Sequence, residues 1–330
     1  MVRSENPEIA ADSSTHHAGC KPAGALRVEH KLDFSVLACP ETGQSLSRVG
    51  DELVTADGTR RYSIVREIPR FVASDLYVGS FSFEWNVHKK TQLDTYRQDT
   101  SSEDTFRHKT GLTPEQVRGK LVLDAGVGAG RFTDVLVKWG ARVVGIDLSY
   151  AVEAAQENFA SLSQVLICQA DIAKLPFREG TFDYIISIGV LHHTPDTSTF
   201  FSFLPRFLKP GGEIAIWVYP SEGDYVKRKA WIPFTSRIPA GMFYRFCRVF
   251  VPWAHRHPRN LLVRYLRRAF PFSDQGLGLE NDILDTFDGY SPRYHGIHSP
   301  DDVEGWFREE GLVGIERFGW NTAVRGRRAA

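Results

Sequence analysis

Along most of the chain the hydrophobic positions follow one of two periods. Short, largely apolar, β-branched runs stand at 120–124, 142–147, 164–169, 184–187 and 213–218. They predict strands buried on both faces. Stretches near 130–139, 150–160 and 197–208 carry helical spacing between them. This alternation predicts a mostly parallel α/β sheet with helices on both sides, a doubly wound arrangement. Upstream, 31–75 predicts a small β unit: 52–55 and 61–65 alternate, and turns such as Asp57-Gly58 separate them. Residues 76–118 mix aromatic and charged side chains at helix-like spacing, and Thr113-Pro114 marks a helix start. Residues 220–290 break the rhythm and predict a helical insertion. Met242, Phe246, Val249 and Phe250 share one helical face, with Arg245 and Arg248 on another; Leu261, Leu262, Tyr265, Leu266 and Ala269 repeat the pattern opposite Arg264, Arg267 and Arg268. After 290 order returns, with a helix expected at 300–310 and strands at 313–318 and 322–327. Residues 1–30 show no periodicity and are expected to be a mobile tail.

Composition narrows the class. A chain of 330 residues with 42% hydrophobic and 24% charged residues suits one large globular domain or two, and excludes disordered and collagen-like chains. Forty basic residues balance forty acidic ones, so net charge points to neither nucleic acid nor membrane. Locally the balance fails: between Tyr225 and Ser273 there are eleven Lys or Arg and no Asp or Glu. No apolar run approaches the length of a membrane helix, about 18 residues. The first thirty residues hold Glu5, Glu8 and Asp12 and no apolar core, so no secretory signal is expected. Cys20, Cys39, Cys168 and Cys247 form no pair motif, which makes a reducing cytoplasm the expected location. His16-His17 is an incidental pair, and no metal site is expected.

The chemistry concentrates in "LVLDAGVGAGRF" at 121–132. Starting from Gly126 and Gly128, the third glycine of a dinucleotide fingerprint would fall at Arg131, so that fingerprint fails. The spacing D-x-G-x-G-x-G resembles motif I of the class I S-adenosylmethionine-dependent methyltransferases. Four further segments follow in the family's order: "VVGIDLS", "CQADIAKLPF", "FDYIISIGVLHH" and "LKPGGEIAIWVY". The resemblance implies a seven-stranded Rossmann-like sheet and S-adenosyl-L-methionine as cofactor. It assigns cofactor contacts to Asp124, Gly126, Gly128, Gly130, Asp147, Asp171 and Ile172. Asp147, 23 residues after Asp124, would accept two hydrogen bonds from ribose hydroxyls. Asp171 would accept from the adenine amino group while Ile172 packs on the ring. Asp124 either orients the loop or touches the methionine amino group, and Arg131 either pairs with the methionine carboxylate or is a solvated helix-start arginine. Val127, where relatives often have Cys, contributes only backbone.

Methyl transfer needs alignment and, for an oxygen nucleophile, a base. His193 and His192 follow the fourth strand, where the resemblance puts the transferred methyl, and are the candidate bases. The segments 81–85, with Phe81 and Trp85, and 287–303 are candidate pocket covers. The latter resembles a segment of methyltransferases encoded among glycan and secondary-metabolite genes, and Tyr294 and His295 are expected to face substrate there. The stretch from "LACPETGQSL" to "REIPRFV" resembles the zinc ribbon that partners tRNA and release-factor methyltransferases. Only Cys39 of the expected cysteines remains, with Gly43 near the place of a second, so a metal-free ribbon is expected.

The organisation expected is a tail at 1–30, the ribbon-like unit at 31–75, a helical lead-in at 76–118, the cofactor core at 119–219, the basic insertion at 220–290 and the last helix and strands at 291–330. The function expected is methyl transfer to a small-molecule acceptor, an oxygen of a sugar or related metabolite. The alternatives are an RNA or protein methyltransferase docking through the insertion, and a non-catalytic regulator that binds the cofactor. The basic helices read as a solvated lid, as a site for an anionic substrate, or as peripheral contact with the inner face of a membrane. No recognised RNA module is present, so nucleic acid is not an expected partner. Oligomeric state is left open.

Overall fold

The computed structural model describes residues 34–74, 77–274, 276, 278–319 and 322–330. The expected tail, with His16, His17 and Cys20, lies outside the described residues. Leu46–Val49 (β1), Glu52–Thr55 (β2), Arg61–Val65 (β3) and Ile68–Pro69 (β4) form an antiparallel sheet in chain order. Its inward side chains Leu46, Leu53 and Ile64 do not make a core of their own. They join Phe177 and Phe182 in the main core, Leu37 bridges to Phe177, and Arg70 pairs with Gln169 at the edge of the large sheet. The chain from Lys31 to Ala330 is one compact unit. Cys39 is buried, its Sγ 3.1 Å from the Tyr62 hydroxyl.

Four helices lead in: Gly79–Val87 (α1), Asp94–Arg97 (α2), Ser101–Thr110 (α3) and Pro114–Val117 (α4). Thr113 and Gln116 close a capping box over α4, with Pro114 in its first turn. The core follows as Leu121–Ala125 (β5), Arg131–Lys138 (α5), Arg142–Asp147 (β6), Val152–Phe159 (α6), Val165–Gln169 (β7), Phe182–Ile188 (β8), Thr197–Ser202 (α7) and Leu208–Trp217 (β9). The helix expected to reach 208 stops at Ser202, because Pro205 has no N–H and its ring obstructs a continuing helix. The insertion holds four helices, Asp224–Thr235 (α8), Ala240–Arg256 (α9), Leu261–Ala269 (α10) and Leu279–Asp288 (α11). The chain ends with Pro300–Glu309 (α12), Val313–Arg317 (β10) and Ala323–Arg327 (β11).

The seven-stranded sheet runs β10-β11-β9-β8-β5-β6-β7. Strands β9 to β7 are parallel, and β11 and β10 are antiparallel additions. Side chains alternate between two cores as a strand's period of two demands. Leu121, Leu123 and Ala125 enter one, Val122 the other; Ile185 and Ile186 divide the same way. Each fully buried Val, Leu, Ile or Phe contributes about 1.5–3 kcal/mol, so a sheet covered on both faces holds its register firmly.

In the insertion, packing selects between the faces of α9. The inward face of α9 is Phe243, Tyr244, Cys247 and Val251, packed on Ile283, Phe287 and Tyr290. Met242, Phe246 and Val249 lie exposed. The helix carries two apolar stripes, and the one with the larger aromatic match to α11 is buried.

Candidate active site

The chain runs outward from β5 through β6 to β7, then returns to β8 on the other side of β5. The crevice at the carboxyl ends of such a reversal is where open α/β sheets bind ligands. A cavity of about 430 Å³ opens there.

Its floor is made by loops leaving the strands. Gly126 and Gly128 follow β5 with φ of 97° and 53°. A side chain at 126 would overlap Val190, so both conformation and space require glycine. Asp147 ends β6. Its Oδ2 accepts from the Gly128 N–H at 2.9 Å, and Oδ1 accepts from the Ser149 N–H and hydroxyl at 2.8 and 2.6 Å. A carboxylate has about four acceptor positions, so one remains on Oδ2. The sequence expects two further hydrogen bonds here, from ribose hydroxyls, and the loop amide already shares Oδ2. Asp171 and Ile172 line the cavity after β7, and Asp171 Oδ1 accepts from the Ala173 N–H at 2.9 Å.

Two expected cofactor contacts stand off the cavity. Asp124 is buried and accepts from the Thr133 hydroxyl at 2.7 Å; desolvation pushes its carboxyl up to about 7. It ties β5 to α5 and so positions the glycine loop. Gly130, at φ 98°, caps α5 against the ring of Phe159. Arg131 does reach the cavity, with Nε donating to the Ser102 hydroxyl at 3.1 Å.

The histidine pair divides. Leu191–His193 form one 3-10 turn after β8. His193 lines the cavity, and its Nδ1 lies 3.0 Å from the Tyr294 carbonyl. A carbonyl only accepts, so Nδ1 carries the proton and Nε2 keeps its lone pair. Nε2 is buried and has no hydrogen-bond partner among the described residues. Burial lowers the imidazole to about 4, opposed by the Tyr294 carbonyl. His192 does not reach the cavity: its ring stacks on Tyr219 with centroids 3.6 Å apart, fully buried and held neutral by desolvation. Tyr294 and His295 also stand behind the wall. Tyr294 supplies the carbonyl for His193 and sets its ring against Tyr77, while His295 packs on Tyr219 and His193. This part of the segment, expected to face substrate, is tied by its backbone to the turn at 191–193.

A roof comes from α1, α8 and α11. Phe81, Glu84 and Trp85 line it from α1, Tyr225 and Arg228 from α8, Asp285 and Asp288 from α11. Trp85 Nε1 would stand 3.2 Å from a Cβ at Gly128, so roof and glycine loop are in close contact. Both Glu84 carboxyl oxygens are buried without a hydrogen-bond partner among the described residues, and desolvation raises its pKa well above the usual range, with Asp288 and Asp285 adding to it. Burial pushes Asp285 and Asp288 up to about 6, and the Tyr219 hydroxyl donates to Asp288 at 3.3 Å. From α3, Lys109 sets Nζ 3.3 Å from the Trp217 ring centroid, its ammonium strongly disfavoured by desolvation. The sequence reading named segment 81–85 but singled out none of Glu84, Lys109, Arg228, Asp285 or Asp288. A signal was present for the last two: they interrupt the apolar spacing of Ile283, Leu284 and Phe287 on a helix whose apolar side chains are buried.

The glycine cradle that a Cβ would obstruct, the remaining acceptor on Asp147 and the pairing of Asp171 with apolar Ile172 fit an adenosyl group. Residues 123–216 match the methyltransferase domain family. A ubiquinone biosynthesis O-methyltransferase of Coxiella burnetii is 36% identical over 101 residues, 30% of this chain and 43% of that protein. A sterol 24-C-methyltransferase of Gibberella zeae is 28% identical over 172 residues, 50% of this chain and 44% of that one. Phosphoethanolamine N-methyltransferase 2 of Caenorhabditis elegans is 35% identical over 105 residues, 31% and 24% of the two chains. The chain thus spans less than half the length of each of these curated relatives. Over residues 123–216, from the glycine loop to the end of the parallel sheet, the chain is similar to S-adenosylmethionine-dependent methyltransferases.

Proposed function

We propose that the protein methylates a hydroxyl oxygen of a small polar acceptor, a sugar or related metabolite, with His193 as general base. The observation that carries this reading is the Nε2 lone pair of His193, oriented by the Tyr294 carbonyl and unpartnered at the cavity wall. S-adenosylmethionine, when bound, supplies a methyl group already activated by a positive sulfur. Gly126, Gly128, Asp147, Asp171 and Ile172 would hold it. Nε2 takes the hydroxyl proton, and the Tyr294 carbonyl, bonded to Nδ1–H, takes up part of the charge that forms. With the imidazole lowered to about 4, the free base is present throughout neutral pH. The aromatic roof excludes water, and proximity supplies much of the rate.

The relatives' names include O-, C- and N-methylation, so oxygen rests on His193 rather than on kinship. Glu84, Asp285 and Asp288 face Lys109, Arg131 and Arg228 around the cavity. That balance favours a neutral polyhydroxyl acceptor over an anionic one. The N-terminal sheet is read as a metal-free relative of the zinc ribbon that serves packing, on the strength of Cys39 alone and the shared core.

The test has two stages. Titration with S-adenosylhomocysteine should give micromolar binding. Label from methyl-labelled S-adenosylmethionine should then reach a hydroxyl-bearing acceptor in a panel of sugars and amino alcohols, and fail to with His193→Ala. Transfer to nitrogen or carbon with His193 dispensable would sink the oxygen-and-base reading.

A further inference from the structure

The largest feature that the site leaves unused is the outer surface of α9 and α10. Met242, Phe246 and Val249 follow one another at helical spacing on α9, and Val249 is 73% exposed. In α10, Leu261, Leu262 and Tyr265 are exposed by 79%, 55% and 68%. The two helices belong to one body. Val263 of α10 packs with Ala254 of α9 and Phe272. Arg245, Arg248, Arg256, Arg259, Arg264 and Arg268, on the same two helices and the turn between them, are exposed beside these apolar stripes, and none of the six is in an ion pair among the described residues. Monomeric surfaces rarely keep so many large apolar groups together without a partner.

We propose that this face docks the protein on an anionic lipid bilayer, with α9 and α10 lying in the plane of the membrane. Charge complementarity selects that occupant. Between Tyr225 and Ser273 there are eleven cationic residues and no acidic one. A second copy set against this face would bring like-charged arginines together. The first 33 residues carry four Lys or Arg against five Asp or Glu, too little negative charge to match. A nucleic acid would answer the arginines but leaves exposed Met, Val and Leu in water. The interface of an anionic bilayer takes both: phosphates meet the guanidinium groups while the aliphatic and aromatic side chains enter the acyl boundary. No helix among the described residues is long and apolar enough to cross a membrane, so the mode is surface association. Because α9 packs inward on α11, and α11 lines the cavity through Leu284, Asp285 and Asp288, docking would hold the cavity roof near the bilayer. The inference does not depend on the acceptor or on His193.

The full chain should sediment with vesicles of phosphatidylcholine containing about one third phosphatidylglycerol, less so as salt is raised, and not with phosphatidylcholine alone. The double variant Val249→Asp, Leu261→Asp should weaken this by on the order of tenfold or more. Arg264→Gln and Arg268→Gln should each weaken it by roughly fivefold. Unchanged thermal melting and S-adenosylhomocysteine affinity would show that the variants are folded, as expected for exposed positions. The proposal is overturned by absence of binding to the anionic vesicles, or by binding that the double variant leaves intact. It is equally overturned by a dimer in light scattering that the double variant disperses, since a second copy would then own the face.

Discussion

The floor and the roof of the cavity contain the same kinds of residue and were assembled by different rules. The floor comes from the ends of adjacent parallel strands, β5, β6, β7 and β8, so short motifs in chain order become neighbours in space. The roof joins Glu84, Arg228 and Asp288, which lie far apart in sequence and meet because three helices pack over the crevice. Floor carboxylates are bonded to backbone amides: Asp147 to Gly128 and Ser149, Asp171 to Ala173. In the roof, the Glu84 carboxyl has no hydrogen-bond partner among the described residues and is raised by desolvation. A motif that carries its own hydrogen bonds is pre-organised before ligand arrives.

Breaking the contrast begins with its hinge, His193, which the floor supplies and the far end of the chain orients. His193→Ala should lower the transfer rate by about a hundredfold to ten-thousandfold, with S-adenosylhomocysteine affinity held within about twofold, measured by labelled transfer and calorimetry. His192→Phe, stacked on Tyr219 off the cavity, should keep the rate; loss there equal to that of His193→Ala would mean the pair acts together.

The floor is tested next. Gly126→Ala forces a side chain onto Val190 at positive φ and should cost roughly a hundredfold in S-adenosylhomocysteine affinity. Asp147→Ala removes a charged acceptor and the anchor of the Gly128 amide, and should cost about tenfold to a hundredfold in the same titration.

A pH measurement separates the buried base from an ordinary histidine. Folding lowers His193 to about 4 from an unfolded value near 6.5. As pH falls from about 6.5 towards 4, the unfolded chain takes a proton that the folded one refuses, so stability is lost in that window. His193→Gln should therefore shrink the stability difference between pH 7 and pH 5 by about 1–2 kcal/mol in paired denaturant titrations. An unchanged difference would mean that His193 protonates in the folded state like a solvated imidazole.

The smallest effect is expected in the roof. Glu84→Gln should change acceptor KM by about threefold to tenfold and leave S-adenosylhomocysteine affinity alone. A cofactor-affinity loss instead would move Glu84 from the acceptor side to the floor's work and blur the contrast.

Much of the molecule was legible before folding. Strands at 142–147 and 61–65 stand where an apolar β-branched run and alternation placed them, because such segments bounded by turns have few other solutions. The glycine loop was legible because its constraint is local: backbone conformation and ligand approach within a few residues. The helix to 208 was misread because apolar spacing alone ignored Pro205. On α9, residues 242, 246 and 249 were as apolar as 243, 247 and 251, and only packing on Ile283 and Phe287 chose between the stripes. The contact between Tyr294 and His193 was not legible for a related reason. It is made by a backbone carbonyl, and backbone atoms leave no trace in residue type.

By itself the sequence determined the strand positions and a mostly parallel sheet, and the motifs' resemblance to a family pointed to the cofactor loop. Periodicity and short glycine motifs act over a few residues and depend little on what lies beyond. The tertiary structure decided which histidine faces the cavity, that Asp124 is bonded to Thr133 off the cavity, that three carboxyls share the roof, and which face of α9 meets the solvent. Those outcomes depend on burial and on partners more than a hundred residues away, such as Tyr294 for His193, and burial is a property of the packed molecule rather than of any segment of it.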